Sequence, residues 1–232
     1  MLKAAVFDMD GLMFDSERLV YNNWQKMMDE GGYPYSIEDF KMTVGKRKAE
    51  VQHFYFDKYG ADFPYWDFSE RGRKMYVDYV LQNGIPVNKG LYELLSYLKG
   101  ENFKIALATS TSRQTSEMNL KSADVLKYFD ELVCGDDVKN GKPHPEVFLT
   151  AAKRLGTAPE NCIAFEDSIN GIKSAYAAGM VTVMIPDFLQ PTEEILPMIN
   201  CLCKDLSESV EFIKKLTENK PCDRVKQEDK IS

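Results

Sequence analysis

The sequence has little of what a zinc site, a membrane span or a nucleic-acid surface requires. Its 232 residues include two histidines and five cysteines, and no two cysteines form a CxxC pair, which argues against a zinc site. No run approaches about 20 apolar residues, so no segment is expected to span a membrane. Acidic residues outnumber basic ones by 36 to 29, for a net charge of −7. Because nucleic acids are bound by basic surfaces, we expect no nucleic-acid partner.

Signals for export are also missing. Met1 leads within a few residues into a short strand pattern, without the basic region and apolar run of a signal peptide. The odd number of cysteines fits thiols in a reducing compartment better than a disulfide framework. We therefore expect a cytoplasmic protein.

Short apolar runs alternate with helical patterns along most of the chain. With 44% hydrophobic and 28% charged residues the composition is globular, and one helical pattern places Leu91, Leu94, Leu95 and Leu98 on one face. Strands that alternate with helices form βα units, so the sequence predicts an α/β fold with a parallel sheet. The predicted strands are residues 4–7, 104–108, 131–134, 162–165 and 181–185.

One block interrupts this alternation. From about Ser16 to Pro86 no convincing buried strand occurs, and three helical patterns take its place, at residues 18–30, 46–59 and 69–83. This predicts a small helical domain, residues 16–86, inserted directly after the first strand. Residues 1–15 and 87–216 would then form the α/β core domain, and residues 217–232 a polar tail.

Two aspartates one residue apart follow the first predicted strand. Asp8 and Asp10 flank Met9, and an extended chain with this spacing points both carboxylates the same way. Open parallel sheets bind ligands at the carboxyl ends of their strands. Two neighbouring carboxylates repel each other unless they share a proton or bind a cation. Gly11, which comes next, lets the backbone turn sharply and approach a ligand.

The ends of other predicted strands carry hydroxyls and further acids. Residues 109–112 all carry hydroxyl side chains and precede a predicted helix, an arrangement that binds anions. Glu166 and Asp167 follow the strand at 162–165, and Lys142 lies in a turn between these strands. Acids beside anion-binding groups indicate a hard cation, and Mg²⁺ prefers oxygen ligands together with a substrate phosphate. The set as a whole indicates phosphoryl transfer.

Four motifs in this order resemble those of the haloacid dehalogenase (HAD) superfamily. They are Asp8-Met9-Asp10-Gly11, Thr109-Ser110, Lys142 within GKPHPEVF, and FEDSINGI at residues 165–172. The helical insert resembles the C1 cap of that superfamily, and the pattern is similar to that of sugar-phosphate phosphatases and β-phosphoglucomutases. The resemblance covers nearly all of residues 1–216. It implies a Rossmann-like parallel sheet core with a small helical-bundle cap after the first strand.

The resemblance implies a role for each matched residue. Asp8 would be the nucleophile that forms an aspartyl-phosphate. Asp10 would protonate the leaving alcohol as general acid and then activate water as general base. Thr109 and the Ser110 N–H would hold the phosphoryl oxygens, and Lys142 would neutralise the charge that develops on them.

The resemblance also implies a Mg²⁺ cofactor and a small-molecule substrate, a phosphate monoester. The metal would be held by Asp8, the Asp10 carbonyl and Asp167, with Glu166 binding it directly or through water. A C1 cap can close the site without a partner chain, so we expect a monomer.

Three bases follow Gly45 in the predicted cap: Lys46, Arg47 and Lys48. In caps of this type such a loop often reaches the substrate, and here its charges would hold a second phosphate or an acidic substituent. The alternative is that these side chains form a solvated helix start. The sequence leaves the two interpretations open.

Two positions bear on the reaction. Dehalogenases of the superfamily lack the second aspartate, so Asp10 favours phosphate chemistry. Mutases of the superfamily carry a histidine in the cap helix, at the position where this chain has Val20. We therefore predict a sugar-phosphate phosphatase. The alternatives are a β-phosphoglucomutase that interconverts β-glucose 1-phosphate and glucose 6-phosphate, and a non-catalytic phosphate-binding member of the fold.

Overall fold

A parallel β-sheet of six strands lies at the centre of the fold. A computed structural model of the chain describes residues 2–46 and 48–217, and its strands pair in the order β3-β2-β1-β4-β5-β6, all in parallel. The predicted α/β class with a Rossmann-like parallel sheet is confirmed. The five predicted strands begin at the predicted residues, whereas β6 was not predicted. The strands are β1 (Ala4–Phe7), β2 (Lys104–Ala108), β3 (Glu131–Val133), β4 (Cys162–Glu166), β5 (Val181–Met184) and β6 (Cys201–Leu202).

In the described part of the chain, four helices lie between residues 16 and 83, directly after β1, which confirms the predicted helical insert. Three of them do not start at the predicted residue: α1 begins two residues before Arg18, α3 begins two residues after Lys46, and α4 begins four residues before Ser69. The short α2 was not predicted. It starts at a capping box in which Ser36 and Asp39 exchange hydrogen bonds. The helices are α1 (Ser16–Gly31), α2 (Ile37–Lys41), α3 (Lys48–Tyr59) and α4 (Tyr65–Asn83).

The insert has an aromatic core of its own. Met27, Met28, Tyr55, Phe63 and other side chains form a buried cluster separate from the clusters on the sheet. The base of the insert joins the sheet core, because side chains of α1 and α4 also pack in the cluster that contains β1. The division into domains at residues 16 and 86 stays a prediction.

Successive side chains of β1 point to opposite faces of the sheet, and each face has its own buried core. Ala5 and Phe7 belong to one buried cluster, and Ala4 and Val6 belong to the other. Helices α5 and α9 pack on the first face, while α7 and α8 pack on the second. The remaining helices are α5 (Leu91–Gly100), α6 (Arg113–Ser122), α7 (Glu146–Arg154), α8 (Ile169–Ala177) and α9 (Ser209–Thr217).

Burial on both faces explains why the central strands read as continuous apolar runs. Every residue of β1 is buried, and the ring of Phe7 stacks on that of its β4 partner Phe165 with the centroids 4.7 Å apart. The four leucines predicted on one helix face are all buried in α5. In the part of the chain that the structure describes, no helix combines the length and the apolar character needed to cross a membrane. Most of the predicted polar tail, residues 218–232, lies outside the described residues.

Candidate active site

The polypeptide after β1 is shaped to bring carboxylates to the sheet edge. The N–H of Asp8 still donates to the Phe165 carbonyl at 3.0 Å, so this residue continues the strand pairing. Gly11 then turns the chain with a φ of +78°, a conformation that L side chains rarely adopt. A Cβ at Gly11 would also collide with Oδ2 of Asp167. Only a glycine lets the turn pass this close to the acid from β4.

Three predicted acids and the predicted lysine meet in one buried cluster. Oxygens of Asp8, Glu166 and Asp167 all lie within 4.8 Å of one another. Lys142 Nζ donates hydrogen bonds to Asp8 Oδ1 and to Glu166 Oε1, and its side chain is only 7% exposed. These residues come from three separate segments of the chain, the residues after β1, the end of β4 and the loop before α7, so the fold assembles the cluster at the carboxyl edge of the sheet.

Burial perturbs the ionisation of this cluster. It raises the pKa of Asp8 to about 7, with Lys142 opposing the shift and the charges of Glu166 and Asp10 adding to it. Burial also raises the pKa of Asp167 well above its ordinary value, reinforced by Glu166 and Asp8. Burial opposes the charge on Lys142, but the carboxylates of Asp8 and Glu166 outweigh it and raise the pKa of this amine. One cation thus faces three carboxylates, which leaves negative charge uncompensated.

The donor set of the cluster fits a hard divalent cation. Asp167 is 6% exposed, and none of the residues in 2–46 and 48–217 donates a hydrogen bond to its carboxylate. A buried carboxylate without a donor is costly unless a cation neutralises it. The cluster supplies oxygen ligands only, the type that Mg²⁺ prefers.

Asp10 is held by hydroxyl groups. Its Oδ1 accepts a hydrogen bond from Ser16 Oγ at 2.8 Å, and its Oδ2 accepts one from Thr111 Oγ1 at 2.7 Å. Ser16 begins α1 and Thr111 follows β2, so the carboxylate links the start of the insert to the sheet core. The sequence placed Thr111 in a hydroxyl cluster but did not single it out.

The hydroxyl loop after β2 lies beside Asp10. Thr109 is buried, and its N–H still pairs with the Val133 carbonyl at 3.0 Å. Its Oγ1 accepts a hydrogen bond from the Thr111 N–H at 3.1 Å. Ser110 is exposed, and its N–H donates to no other group in the part of the chain that the structure describes. This N–H is therefore free for a ligand.

The basic residues of the insert lie outside the buried cluster. Lys46 and Lys48 are exposed, and neither forms an ion pair with another described residue. Arg47 lies outside the described residues. The loop itself contacts the sheet core, because Asn170 Nδ2 in α8 donates to the Gly45 carbonyl at 2.9 Å. A role of these bases in substrate binding stays a prediction.

Sequence reasoning missed two acids, Glu17 beside Asp10 and Asp187 beside Gly11. Glu17, in the first turn of α1, has its pKa raised to about 8 by burial and by the charges of Asp10, Asp187 and Asp8. Asp187 follows β5; burial and then the charge of Asp15 raise its pKa to about 6. Its Oδ2 is buried and accepts no hydrogen bond from the described residues. Asp187 had a signal, because it follows a predicted strand just as Asp8 does.

The chain is similar to known phosphatases and to a β-phosphoglucomutase. The family model described as haloacid dehalogenase-like hydrolase matches residues 5–185. The phosphorylated carbohydrates phosphatase of Thermotoga maritima is 33% identical over 179 residues, covering 77% of this chain and 82% of that protein. Hexitol phosphatase B of Escherichia coli is 30% identical over 191 residues, covering 79% and 83%. The crystal structure of a β-phosphoglucomutase from Clostridium difficile aligns with a TM-score of 0.74 at 26% identity, over 93% of this chain and 96% of that one.

The family match spans both the core strands and the helical insert, and it includes every motif on which the resemblance depends. The predicted family and the predicted type of enzyme are therefore confirmed. The chain belongs to the haloacid dehalogenase-like hydrolases.

Proposed function

We propose that this chain is a Mg²⁺-dependent phosphatase that hydrolyses phosphate monoesters of sugars through an aspartyl-phosphate on Asp8. The observation that carries the proposal is the buried cluster in which Asp8, Glu166 and Asp167 lie within 4.8 Å beside Lys142. Together with a bound Mg²⁺, such a cluster would neutralise and position a phosphate ester, and these two effects supply most of the rate of phosphoryl transfer. Two relatives named above, the carbohydrate phosphatase and the hexitol phosphatase, support the choice of a sugar as the alcohol.

In the first step an oxygen of Asp8 would attack the phosphorus atom. The bond from phosphorus to the ester oxygen breaks, and protonated Asp10 gives its proton to the departing alcohol. Hydrogen bonds from Ser16 and Thr111 fix the orientation of the Asp10 carboxyl. In the second step Asp10 would take a proton from a water molecule, and the resulting hydroxide would attack the phosphorus atom. The bond between phosphorus and the Asp8 oxygen then breaks, which restores the Asp8 carboxylate. The products are the free alcohol and inorganic phosphate.

The anion-binding groups would hold the transferred phosphoryl oxygens. The free N–H of Ser110 and the hydroxyl of Thr109 lie directly after β2, in the same loop as Thr111. Lys142 already contacts Asp8, so its charge would also act on a phosphoryl group bound to that residue. These roles agree with those that the motifs imply.

The metal would be held by Asp8, Asp167 and the Asp10 carbonyl, and it would neutralise and orient the phosphate. Glu166 is already engaged: Oε1 accepts from Lys142, and Oε2 accepts from the N–H groups of Asp167 and Ser168 and from the Ser168 hydroxyl. We therefore assign Glu166 to a water-mediated contact with the metal and to the positioning of Lys142.

The proposal is tested by Mg²⁺-dependent hydrolysis of p-nitrophenyl phosphate and of a panel of sugar phosphates. We expect activity with Mg²⁺, none with excess EDTA, and a loss of at least about 10³-fold in Asp8→Asn, because the amide cannot act as the nucleophile. Asp124→Asn is the matched control, since this carboxylate is exposed and asparagine tolerates its positive φ. A wild type without activity on any ester would favour the non-catalytic alternative.

A second candidate is β-phosphoglucomutase, favoured by the likeness to the C. difficile structure. Product analysis separates the two reactions. With β-glucose 1-phosphate, the phosphatase releases inorganic phosphate and glucose, whereas the mutase accumulates glucose 6-phosphate. We expect inorganic phosphate, because Val20 occupies the position at which the mutases carry a histidine. The cytoplasmic location, the monomeric state and the absence of a nucleic-acid partner stay predictions.

A further inference from the structure

Two cysteine thiols face each other at an edge of the sheet. Cys201 is the first residue of β6, which among the described strands pairs only with β5, and Cys203 follows directly after this strand. Their Sγ atoms lie 3.5 Å apart, and both thiols are free. Cys203 is 4% exposed, whereas Cys201 is partly exposed at the surface.

The backbone holds this pair in place. Side chains two residues apart in an extended chain lie on the same face, so both thiols point the same way. Hydrogen bonds to neighbouring β5 fix the segment on either side: the Asn200 N–H donates to the Thr182 carbonyl and the Cys203 N–H donates to the Met184 carbonyl, each at 2.9 Å. The contact between the sulfurs is therefore a consequence of the sheet pairing.

The surroundings make the two thiols unequal. The hydrogen bond from the Cys203 S–H and then the charge of Lys215 lower the pKa of Cys201, against the opposing effects of burial and Glu208. Donating this hydrogen bond, together with burial, raises the pKa of Cys203. Cys201, the less buried residue of the two, thus has the greater thiolate character, which makes it the first to react with an oxidant.

We propose that Cys201 and Cys203 are a site of reversible oxidation, at which they form a disulfide in exchange with a small-molecule disulfide such as oxidised glutathione. The Cys201 thiolate attacks one sulfur of the small disulfide and releases one small thiolate. The Cys203 thiol then loses its proton, and its sulfur attacks Cys201 Sγ and displaces the second small thiolate. Two protein thiols are oxidised, and the two protons that they lose are taken up by the two small thiolates, so that one small disulfide is reduced to two thiols.

The spacing of the pair predicts a bond that is easily reduced. Two residues of extended chain place the Cα atoms about 6.6–6.8 Å apart. Disulfides span Cα separations of about 4.4–6.8 Å, so this one lies at the upper limit and strains the edge strand. Strained disulfides have more oxidising potentials, which makes the site reversible.

The test uses the full chain and the peptides that trypsin releases from it. The reduced protein is incubated with oxidised glutathione, blocked with N-ethylmaleimide and digested. Trypsin should release residues 174–204 as one peptide, because no lysine or arginine precedes Lys204 within it. It contains both cysteines of the pair, while Cys162 lies in another peptide. We expect this peptide without N-ethylmaleimide and about 2 Da lighter than its dithiol form.

Two variants make the assignment decisive. Cys203→Ser leaves the more exposed thiol without its partner, so we expect a stable mixed disulfide with glutathione at Cys201. Cys201→Ser leaves the buried thiol alone, so we expect at least fivefold less of the mixed disulfide. A wild-type peptide that carries two N-ethylmaleimide groups after this treatment, or a disulfide from either residue to Cys222, would overturn the proposal. Melting curves of both variants check that each is folded.

Discussion

Glu166 holds Lys142 beside Asp8. Its Oε1 accepts a hydrogen bond from Lys142 Nζ at 2.5 Å, while its Oε2 is fixed by the N–H groups at the start of α8. Glu166 is fully buried, and Gly171 of α8 lies directly against its carboxylate. The position of the lysine therefore depends, through Glu166, on the small size of a helix residue.

This relationship predicts that Gly171→Ala impairs catalysis. A Cβ at this position would overlap the Glu166 carboxylate, which must move and release its hold on Lys142. We expect kcat for p-nitrophenyl phosphate to fall at least about tenfold, because charge stabilisation of this kind is sensitive to small displacements. Gly100→Ala is the matched control, since a Cβ there meets no atom within 4 Å. Equal kcat values for the two variants would contradict the argument.

The acid cluster predicts that Mg²⁺ stabilises the fold. A ligand that binds only the folded state at 100 times its Kd adds about 2.7 kcal/mol. We expect Mg²⁺ to raise the melting temperature of the wild type and to have little effect on Asp167→Asn. Without Mg²⁺ this variant should melt above the wild type, because burial and like charges raise the pKa of Asp167.

The control for this measurement is Asp136→Asn, in a separate group of acids that also contains Cys134 and Asp137. Its response to Mg²⁺ should match that of the wild type. If Asp167→Asn shows the full shift with Mg²⁺, the metal is not held where we place it.

The position of Asp8, Thr109 and Glu166 could be predicted because one rule covers them. Buried apolar runs mark where β1, β2 and β4 lie, and parallel strands end at one edge of the sheet. The same rule would also have placed Asp187 at this edge, because this acid follows β5 after Pro186. It was missed because it belongs to none of the four motifs that resemble the family. The approach of Lys142 to both Asp8 and Glu166 could not be read from the sequence, because it depends on the path of a loop.

Other features carry no local signal. Strand β6 has two residues and α2 has five, so both are shorter than the stretches in which periodicity can be recognised. Glu17 occupies the first turn of a helix, where an acid is usually explained by the helix dipole. Its burial near Asp10 arises because the insert folds back over the sheet edge, which is tertiary information.

The raised pKa of Glu17 predicts a pH-dependent gain in stability for Glu17→Gln. Its pKa rises from 4.5 to about 8 on folding. Between these values the unfolded chain loses the proton while the folded chain keeps it, so the free energy of unfolding falls as pH rises. Glutamine removes this penalty. We expect the variant to be about 1–3 kcal/mol more stable than the wild type at pH 8, with the gain vanishing toward pH 4.5.

Urea unfolding in EDTA at pH 5, 6.5 and 8 measures this effect. Asp29→Asn, at the exposed end of the same helix, should show no such trend. A variant that is less stable than the wild type at pH 8 would show that the ionised carboxylate is stabilised in the fold.

The hydrogen bond from Asn170 to the Gly45 carbonyl predicts how the basic loop responds to trypsin. This bond ties the loop to the first turn of α8, and Lys46 and Lys48 beside it are trypsin sites on the surface. Loss of one such hydrogen bond costs about 0.5–1.5 kcal/mol. Because the rate of proteolysis follows how often a segment opens locally, Asn170→Ala should speed cleavage after these lysines about two- to tenfold. Asn140→Ala, which alters an exposed asparagine in another loop, should leave the rate as in the wild type. Unchanged cleavage in Asn170→Ala would mean that other contacts hold the loop. In that case we also expect the substitution to leave the KM for a sugar phosphate unchanged.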